Sequence, residues 1–122
     1  MSPTARSLQE LRKQGYVAEV VERRLPIPGK FVTQDFLGGI DILAISERVI
    51  LGVQATTDSN MSSHITKAAN EPRLRVWLKA GGQFQIWAWG KHGKRGKRKI
   101  WTLSKRGMYL CGENIGWMTP DD

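Results

Sequence analysis

Two short apolar runs, residues 38–46 and 49–57, lie on either side of a polar two-residue pair. This pattern predicts two antiparallel strands joined by a tight turn. In the register that such a turn sets, paired positions sum to 95, so Asp41 lies directly across from Gln54. Thr56 lies two residues beyond Gln54 and shares its face of the sheet. A carboxylate, a carboxamide and a hydroxyl thus meet at the open end of the hairpin, either as a site for an oxygen-ligated metal or as ordinary polar strand ends.

The remaining apolar periodicity predicts helices before and after this hairpin, and further strands on both sides of it. Gly15 follows the first helical stripe and predicts its C-terminal cap, while Pro72 predicts a break between two later helices. The resulting order of helix, three strands, helix and strand predicts an α/β (α+β) fold class. Predicted helices span residues 3–14, 63–69 and 72–80, predicted strands span residues 16–24, 83–89 and 100–103, and residues 30–37 are a loop or a short strand.

Composition restricts the class of protein. The 122 residues are 40% hydrophobic, which suffices for the core of one domain. The sequence has no apolar run of about 18 residues and no apolar segment typical of a signal peptide, so we expect no membrane partner. Cys111 is the single cysteine, and together with His64 and His92 it is too little for a disulfide or a zinc site. This composition fits a reducing, cytoplasmic environment.

The net charge of +8 is concentrated in the C-terminal half of the chain. Residues 1–71 carry eight basic and eight acidic side chains, whereas residues 72–112 carry eleven basic side chains and no acidic one. A positive field of this kind predicts a polyanionic partner, and nucleic acid is the first choice because Lys and Arg neutralise its phosphates.

A glycine-rich basic segment lies between the predicted strands 83–89 and 100–103. It predicts a mobile hairpin tip, with Trp87, Trp89 and Trp101 near its base. Cations that track phosphates and indoles that stack on unpaired bases, at ~1–3 kcal/mol per stack, favour DNA binding. The alternative is a solvated loop, with some of the indoles in the core. The predicted DNA-binding residues are Lys91, Lys94, Arg95, Lys97, Arg98 and Lys99.

Five further side chains are close enough in sequence to join the polar site on the central hairpin. Asp35 is either a second acid of that site or a turn residue. Glu19 and Glu22 lie on opposite faces of the predicted strand, so at most one of them faces a site there. His64 and Lys67 follow the hairpin on a predicted helix, and they either approach the site or lie on a solvated helix face.

The element order, together with Ile40-Asp41-Ile42 on the second strand and Val53-Gln54-Ala55-Thr56-Thr57 on the third, resembles the PD-(D/E)XK nuclease superfamily. The likeness covers roughly residues 4–89 and is greatest to archaeal-type Holliday junction resolvases and their small phage and bacterial relatives. The segment Arg12-Lys13-Gln14-Gly15-Tyr16 is similar to the helix-to-strand corner of that family. The resemblance implies an αβββαβ restriction-endonuclease-like core, a mixed central sheet flanked by helices, with a basic β-hairpin added at the C-terminus.

The same resemblance implies an endonuclease that depends on Mg²⁺, or alternatively Mn²⁺, and acts as a homodimer on branched DNA. In that family an acid on one strand is followed by Glu-x-Lys on the next. Asp41 has the place of the acid, Gln54 that of the Glu and Thr56 that of the Lys, and these three are the implied catalytic residues. Asp41, Gln54 and the backbone carbonyl of Ala55 are the implied metal ligands. Because Gln54 carries no charge, and Thr4 stands where resolvases have an acid, we expect a weakened metal affinity.

Two other functions are consistent with the sequence. The first is a nucleic-acid-binding protein on a nuclease scaffold that has lost catalysis, since Gln54 and Thr56 replace the Glu and Lys of the family. The second is a protein-interaction factor that uses the aromatic hairpin and the apolar segment 108–118 on a partner.

Overall fold

The structure is a computed structural model, and it describes residues 1–120 of the chain. Its helices are α1 (Pro3–Lys13), α2 (Met61–Ala69) and α3 (Pro72–Lys79), and a 3₁₀ turn, Asp58–Asn60, precedes α2. Its strands are β1 (Val17–Val20), β2 (Arg23–Leu25), β3 (Val32–Gln34), β4 (Ile42–Ile45), β5 (Ile50–Thr57), β6 (Gln83–His92), β7 (Ile100–Cys111) and β8 (Asn114–Met118).

A mixed six-stranded sheet with the order β1-β4-β5-β6-β7-β8 forms the centre of the structure. Strands β5 and β6 are parallel, and the other neighbours in this sheet are antiparallel. Strands β2 and β3 form a separate two-stranded sheet, here called the finger. The predicted α+β class, with a mixed sheet flanked by helices, is confirmed. No helix within residues 1–120 is both long enough and apolar enough to cross a bilayer.

Each face of the sheet has its own hydrophobic core. Because side chains alternate along a strand, β6 contributes to both cores, whereas the buried apolar residues of β4 and β5 belong to the core beneath α1. On one face α1 packs against the sheet, with a buried cluster of Leu11, Ala18, Ile42, Ala44, Leu51, Val53 and Trp87. On the other face α2 and α3 pack, with a buried cluster of Ile40, Ala68, Leu74, Phe84, Ile86 and Met108.

The ends of the helices follow local sequence signals. The Ser2 hydroxyl accepts a hydrogen bond from the Ala5 N–H and caps α1, and Gly15 has a φ of 96° just beyond the end of that helix. The Glu71 carboxylate caps α3, and Pro72 occupies its first turn. The predicted cap at Gly15 and the predicted break at Pro72 are therefore both confirmed, whereas α2 begins at Met61 rather than at residue 63.

The predicted register of the central hairpin is confirmed. Ile42 pairs with Val53, and Ile45 pairs with Ile50, so paired positions sum to 95. The Ser46 N–H donates to the Val49 carbonyl over 2.9 Å and closes the two-residue turn. This turn lies at the end of the sheet opposite to Asp41.

The single predicted strand 16–24 is wrong, because the chain leaves the main sheet after β1. The Val21 N–H still donates to the Asp41 carbonyl over 2.8 Å, and the next residues then pair with β3 instead of β4. The C-terminal segment also contains more strand than predicted. β7 has 12 residues, and β8 returns along it as the edge of the sheet.

We predict that Gly52→Ala destabilises the fold by ~1–3 kcal/mol, because overpacking forces a buried neighbour to move. A Cβ at Gly52 would lie 2.6 Å from Cδ1 and 2.8 Å from Cγ1 of Ile40, which is fully buried. Urea unfolding measures the loss. Gly107→Ala in β7 is the matched control, because its nearest neighbour is 3.3 Å away.

A double-mutant cycle with Ile40→Val tests the cause of that loss. Removing Cδ1 should recover part of the cost of Gly52→Ala, so the two changes should not be additive. Strict additivity would show that the clash with Ile40 is not the origin of the destabilisation.

Candidate metal centre

The root of the finger brings two carboxylates together. Arg23 pairs with Gln34 at the start of the finger, so Glu22 and Asp35 lie one residue outside this last pair. The tip reverses direction at Pro28 and Gly29, where Gly29 has a φ of 72°. The pairing of the two strands therefore sets the separation of the two acids at their base.

A second tight turn brings Asp35 next to Asp41. Phe36 and Ile40 exchange backbone hydrogen bonds of 2.9 Å, and the turn between them has left-handed φ angles of 54° at Leu37 and 73° at Gly38. A non-glycine residue in this conformation costs about 1 kcal/mol. The fold tolerates that strain where the chain must turn between the two acids.

Glu22, Asp35 and Asp41 form what is here called the acidic cluster. One carboxylate oxygen from each lies within 4.8 Å of the others, and Asp41 is only 4% exposed. The Ala55 N–H donates to Oδ2 of Asp41 over 2.9 Å, and the Gln54 side-chain Nε2 donates to Oδ2 of Asp35 over 3.1 Å. Two donors from β5 thus orient two of the three acids.

Burial and neighbouring acids shift the protonation of the cluster. Burial raises the pKa of Asp41 to about 8, and the hydrogen bond with Asp35 and the charges of Asp35 and Glu22 add to this rise. The hydrogen bond from Ala55 opposes it. Burial, followed by repulsion from Asp35, also raises the pKa of Glu22. The cluster therefore retains a proton at neutral pH unless a cation neutralises it.

Three residues predicted for the site, Gln54, Ala55 and Thr56, are consecutive on β5. Gln54 joins the acidic cluster through its amide nitrogen, and Ala55 joins it through its N–H, whereas the sequence implied a carbonyl oxygen from each. Thr56 is buried at 6% exposure on the same face of β5 as Gln54. Oε2 of Glu19 lies 3.9 Å from Nη2 of Arg12, outside the acidic cluster. Of the two acids on the predicted strand, only Glu22 therefore belongs to the cluster.

His64 and Lys67 lie on α2 and interact with residues around the cluster. His64 is half-buried, and its Nδ1 is enclosed without a hydrogen-bond partner among the described residues. Burial and the charge of Lys67 lower the pKa of His64, against an opposing effect from Asp35. Lys67 itself is exposed, and it acts on His64 and Glu71 rather than on Asp41.

The acidic cluster has the chemistry of a site for a hard divalent cation. Mg²⁺ takes oxygen ligands at 2.0–2.1 Å, so two ligands of one ion are at most about 4.2 Å apart. The 4.8 Å spread of the carboxylate oxygens requires only small side-chain rotations to reach this distance. Asp41, Asp35 and Glu22 therefore fit such an ion. Glu22 and Asp35 supply the charges that Gln54 cannot.

The six predicted DNA-binding residues, 91–99 in the β6–β7 hairpin, are all exposed. This element, here called the basic hairpin, extends from the same end of the sheet as the C-terminus of β5, because Gln54 pairs with Ile86 and Thr57 with Trp89. His92 Nε2 contacts the Asp58 carboxylate directly after β5. The base of the basic hairpin is therefore tied to the strand that orients the acids.

Only one of the three nearby indoles is presented at the surface. Trp87 is buried in the core at 1% exposure, and Trp89 donates from Nε1 to the Ser7 hydroxyl over 2.9 Å. Trp101 is 40% exposed, with the Arg6 guanidinium 4.0 Å and the Lys91 ammonium 5.4 Å from its ring centroid. Of the three indoles predicted at the base of the hairpin, Trp101 is thus the most exposed, and two cations already lie over its ring.

A scan against protein-family models finds no match to this chain, and searches of the curated proteins and of the solved structures find none either. The acidic cluster, the exposed cations of the basic hairpin and their common end of the sheet are accordingly what bears on function.

We predict that the metal-free protein loses stability as the pH rises from about 4 to about 8. The pKa of Asp41 is about 8 in the folded state against 3.8 as its ordinary value, so the folded state binds more protons throughout this window. A shift of this size corresponds to a total loss on the order of 6 kcal/mol, complete about one pH unit above the folded-state pKa. Urea unfolding in EDTA at about pH 5 and about pH 9 measures it.

Asp41→Asn removes the ionisable group and should remove most of this pH dependence. Added Mg²⁺ or Mn²⁺ should restore the stability of the wild type at the higher pH, because it binds the deprotonated cluster, and should leave Asp41→Asn unchanged. A wild type with equal stability at both pH values would contradict the raised pKa of the buried Asp41.

Proposed function

We propose that the protein is a metal-dependent endonuclease that hydrolyses phosphodiester bonds in DNA, with the acidic cluster as its metal centre. The observation that carries this proposal is the convergence of Glu22, Asp35 and Asp41 within 4.8 Å, beside Gln54 on the next strand. Buried carboxylates that raise each other's pKa are unfavourable without a cation, and this is typical of functional sites. The resemblance to Holliday junction resolvases supports branched DNA as the substrate and a homodimer in the cytoplasm as the active form.

The residues of the cluster have distinct parts in this proposal. Asp41, Asp35 and Glu22 hold Mg²⁺ or Mn²⁺, while the Ala55 N–H and the Gln54 amide fix the orientation of Asp41 and Asp35. When bound, the ion lowers the pKa of a water molecule and stabilises charge that develops on the phosphate.

Substrate binding is assigned to the basic hairpin. β6 continues six residues beyond Ile86, the partner of Gln54, which corresponds to about 20 Å of strand. Phosphates on one DNA strand follow each other every ~3.4 Å along the helix axis, so a strand of this length lying along that axis spans roughly six of them. The exposed cations of the hairpin therefore suit a grip on the backbone at a distance from the bond that is cut.

One observation favours the second candidate, a DNA-binding protein without catalysis. The Gln54 nitrogen donates to Asp35, and Thr56 is buried, so β5 adds no charge to the site. In that case the acidic cluster remains protonated and DNA binding by the hairpin is the function. Cleavage assays separate the two candidates.

We predict that Asp41→Ala and Asp41→Asn lower Mg²⁺-dependent cleavage by more than about 100-fold, because a direct metal ligand is lost. DNA affinity measured in EDTA should be retained. The assay compares labelled four-way junctions, flaps, duplexes and single strands, with Mg²⁺, Mn²⁺ or EDTA. Glu19→Gln is the matched control, since Glu19 is an exposed acid outside the cluster. Full cleavage by both Asp41 variants would place the catalytic site elsewhere.

We predict that Lys97→Ala/Arg98→Ala weakens DNA binding and reduces the slope of log affinity against log salt by about two, because two phosphate contacts are lost. Fluorescence anisotropy at several salt concentrations measures both. Lys13→Ala/Arg48→Ala is the matched control with the same change in net charge at the opposite end of the sheet. If both double variants weaken DNA binding equally, the net charge of the protein determines the affinity and the position of the hairpin does not.

A further inference from the structure

A cavity of about 320 Å³ lies beside the acidic cluster, between the finger and the start of α3. Two arginines, Arg23 and Arg73, line it together with Gln34, Phe36 and Asp35. We propose that this cavity, here called the arginine cavity, binds one phosphate group of the DNA backbone next to the bond that is cut. The inference rests on the proposed function, since it names a substrate subsite of that reaction.

A hydrogen bond within the finger holds the side chain of Arg23 in place. Arg23 pairs with Gln34 in the β2–β3 ladder, and its Nη2 donates to Oε1 of Gln34 over 2.9 Å. Each of these residues is adjacent in sequence to an acid of the cluster, Glu22 or Asp35. The strand pairing that assembles the acids therefore also presents the Arg23 guanidinium beside them.

Arg73 is held from the other side of the cavity. Its Nη2 lies 2.5 Å from Oε1 of Glu71, and its backbone N–H donates to Oε2 of the same carboxylate over 3.1 Å. This pair packs on Gly38, where an added Cβ would collide with both Glu71 Oε1 and Arg73 Nη2. The tight turn between Asp35 and Asp41 thus has space for the arginine only because residue 38 is a glycine.

The chemistry of the cavity indicates a phosphate rather than an apolar ligand. A guanidinium carries five N–H donors, so the contacts of Arg23 with Gln34 and of Arg73 with Glu71 leave each of them donors for a second acceptor. Planar guanidinium groups pair with phosphate oxygens through two parallel hydrogen bonds. A volume of about 320 Å³ is at the lower end for small-ligand sites and suits a phosphate with part of its sugar.

Asp35 links this subsite to the metal centre. Its carboxylate belongs to the acidic cluster and also lines the arginine cavity. Without a cation it repels a phosphate there, and with a cation that repulsion is neutralised. Binding of the divalent ion and of the phosphate must therefore strengthen each other, because coupling between two sites is reciprocal.

The test measures affinity for a labelled DNA duplex by fluorescence anisotropy, in EDTA and in Ca²⁺, so that cleavage is not the readout. Arg23→Ala and Arg73→Ala should each weaken binding in Ca²⁺ roughly fivefold and lower the salt slope by about one. Arg48→Ala, an exposed arginine at the far end of the sheet, should leave both unchanged. Asp35→Asn should strengthen binding in EDTA and abolish the gain that Ca²⁺ gives the wild type.

Arg23→Gln and Arg73→Gln keep most of the side-chain volume, and urea unfolding of all variants separates loss of binding from loss of folding. Competition by inorganic phosphate and by oligonucleotides with or without a 5′-phosphate distinguishes a terminal phosphate from an internal phosphodiester. Equal competition by both oligonucleotides supports the internal phosphodiester. A stronger effect of the 5′-phosphate, or of inorganic phosphate alone, overturns that assignment.

The subsite and the nuclease proposal fail in different ways. If stable Arg23 and Arg73 variants bind DNA like Arg48→Ala while the wild type cleaves DNA, the subsite is wrong and the nuclease stands. If the arginine variants lose affinity but no metal supports cleavage by the wild type, the arginine cavity remains a phosphate site and the endonuclease proposal is wrong.

Discussion

The mutual repulsion of three carboxylates at the root of the finger is the constraint on which the rest of the site depends. Asp41 is almost fully buried next to Asp35 and Glu22, and burial alone already raises its pKa. The backbone N–H of Ala55 and the side-chain amide of Gln54 donate hydrogen bonds to two of these acids. A strained turn keeps the acids close. Such an arrangement is costly when it is fully ionised, and it becomes favourable once a cation is bound.

Strand β5 connects this electrostatic arrangement to the architecture. It is antiparallel to β4 on one side, in a ladder that ends at Ile42 and Val53, next to Asp41 and Gln54, and parallel to β6 on the other. The parallel pairing directs the basic hairpin away from the same end of the sheet, and the contact between Asp58 and His92 anchors its base. The acidic cluster and the cations of the basic hairpin are therefore separate surfaces. Strand β5 connects them.

The parts of the structure that depend on local signals could be predicted from the sequence. A two-residue turn fixed the register of the central hairpin, and Pro72 fixed the break between the later helices, because both effects act over a few residues. The division of residues 16–24 into two strands could not be predicted, since the residue pattern does not mark the point where the pairing partner changes from β4 to β3. Arg23 and Arg73 meet only in the folded state, and their spacing in sequence gives no signal of it.

The finger carries its carboxylates at its root and its turn at its tip. Residues 26–31 form only the connection between β2 and β3, and no acid of the cluster lies among them. Insertions or deletions at such a connection cost little, since loop-closure entropy grows slowly with length. A change in the length of the tip can therefore leave the geometry of the three acids at the root unchanged.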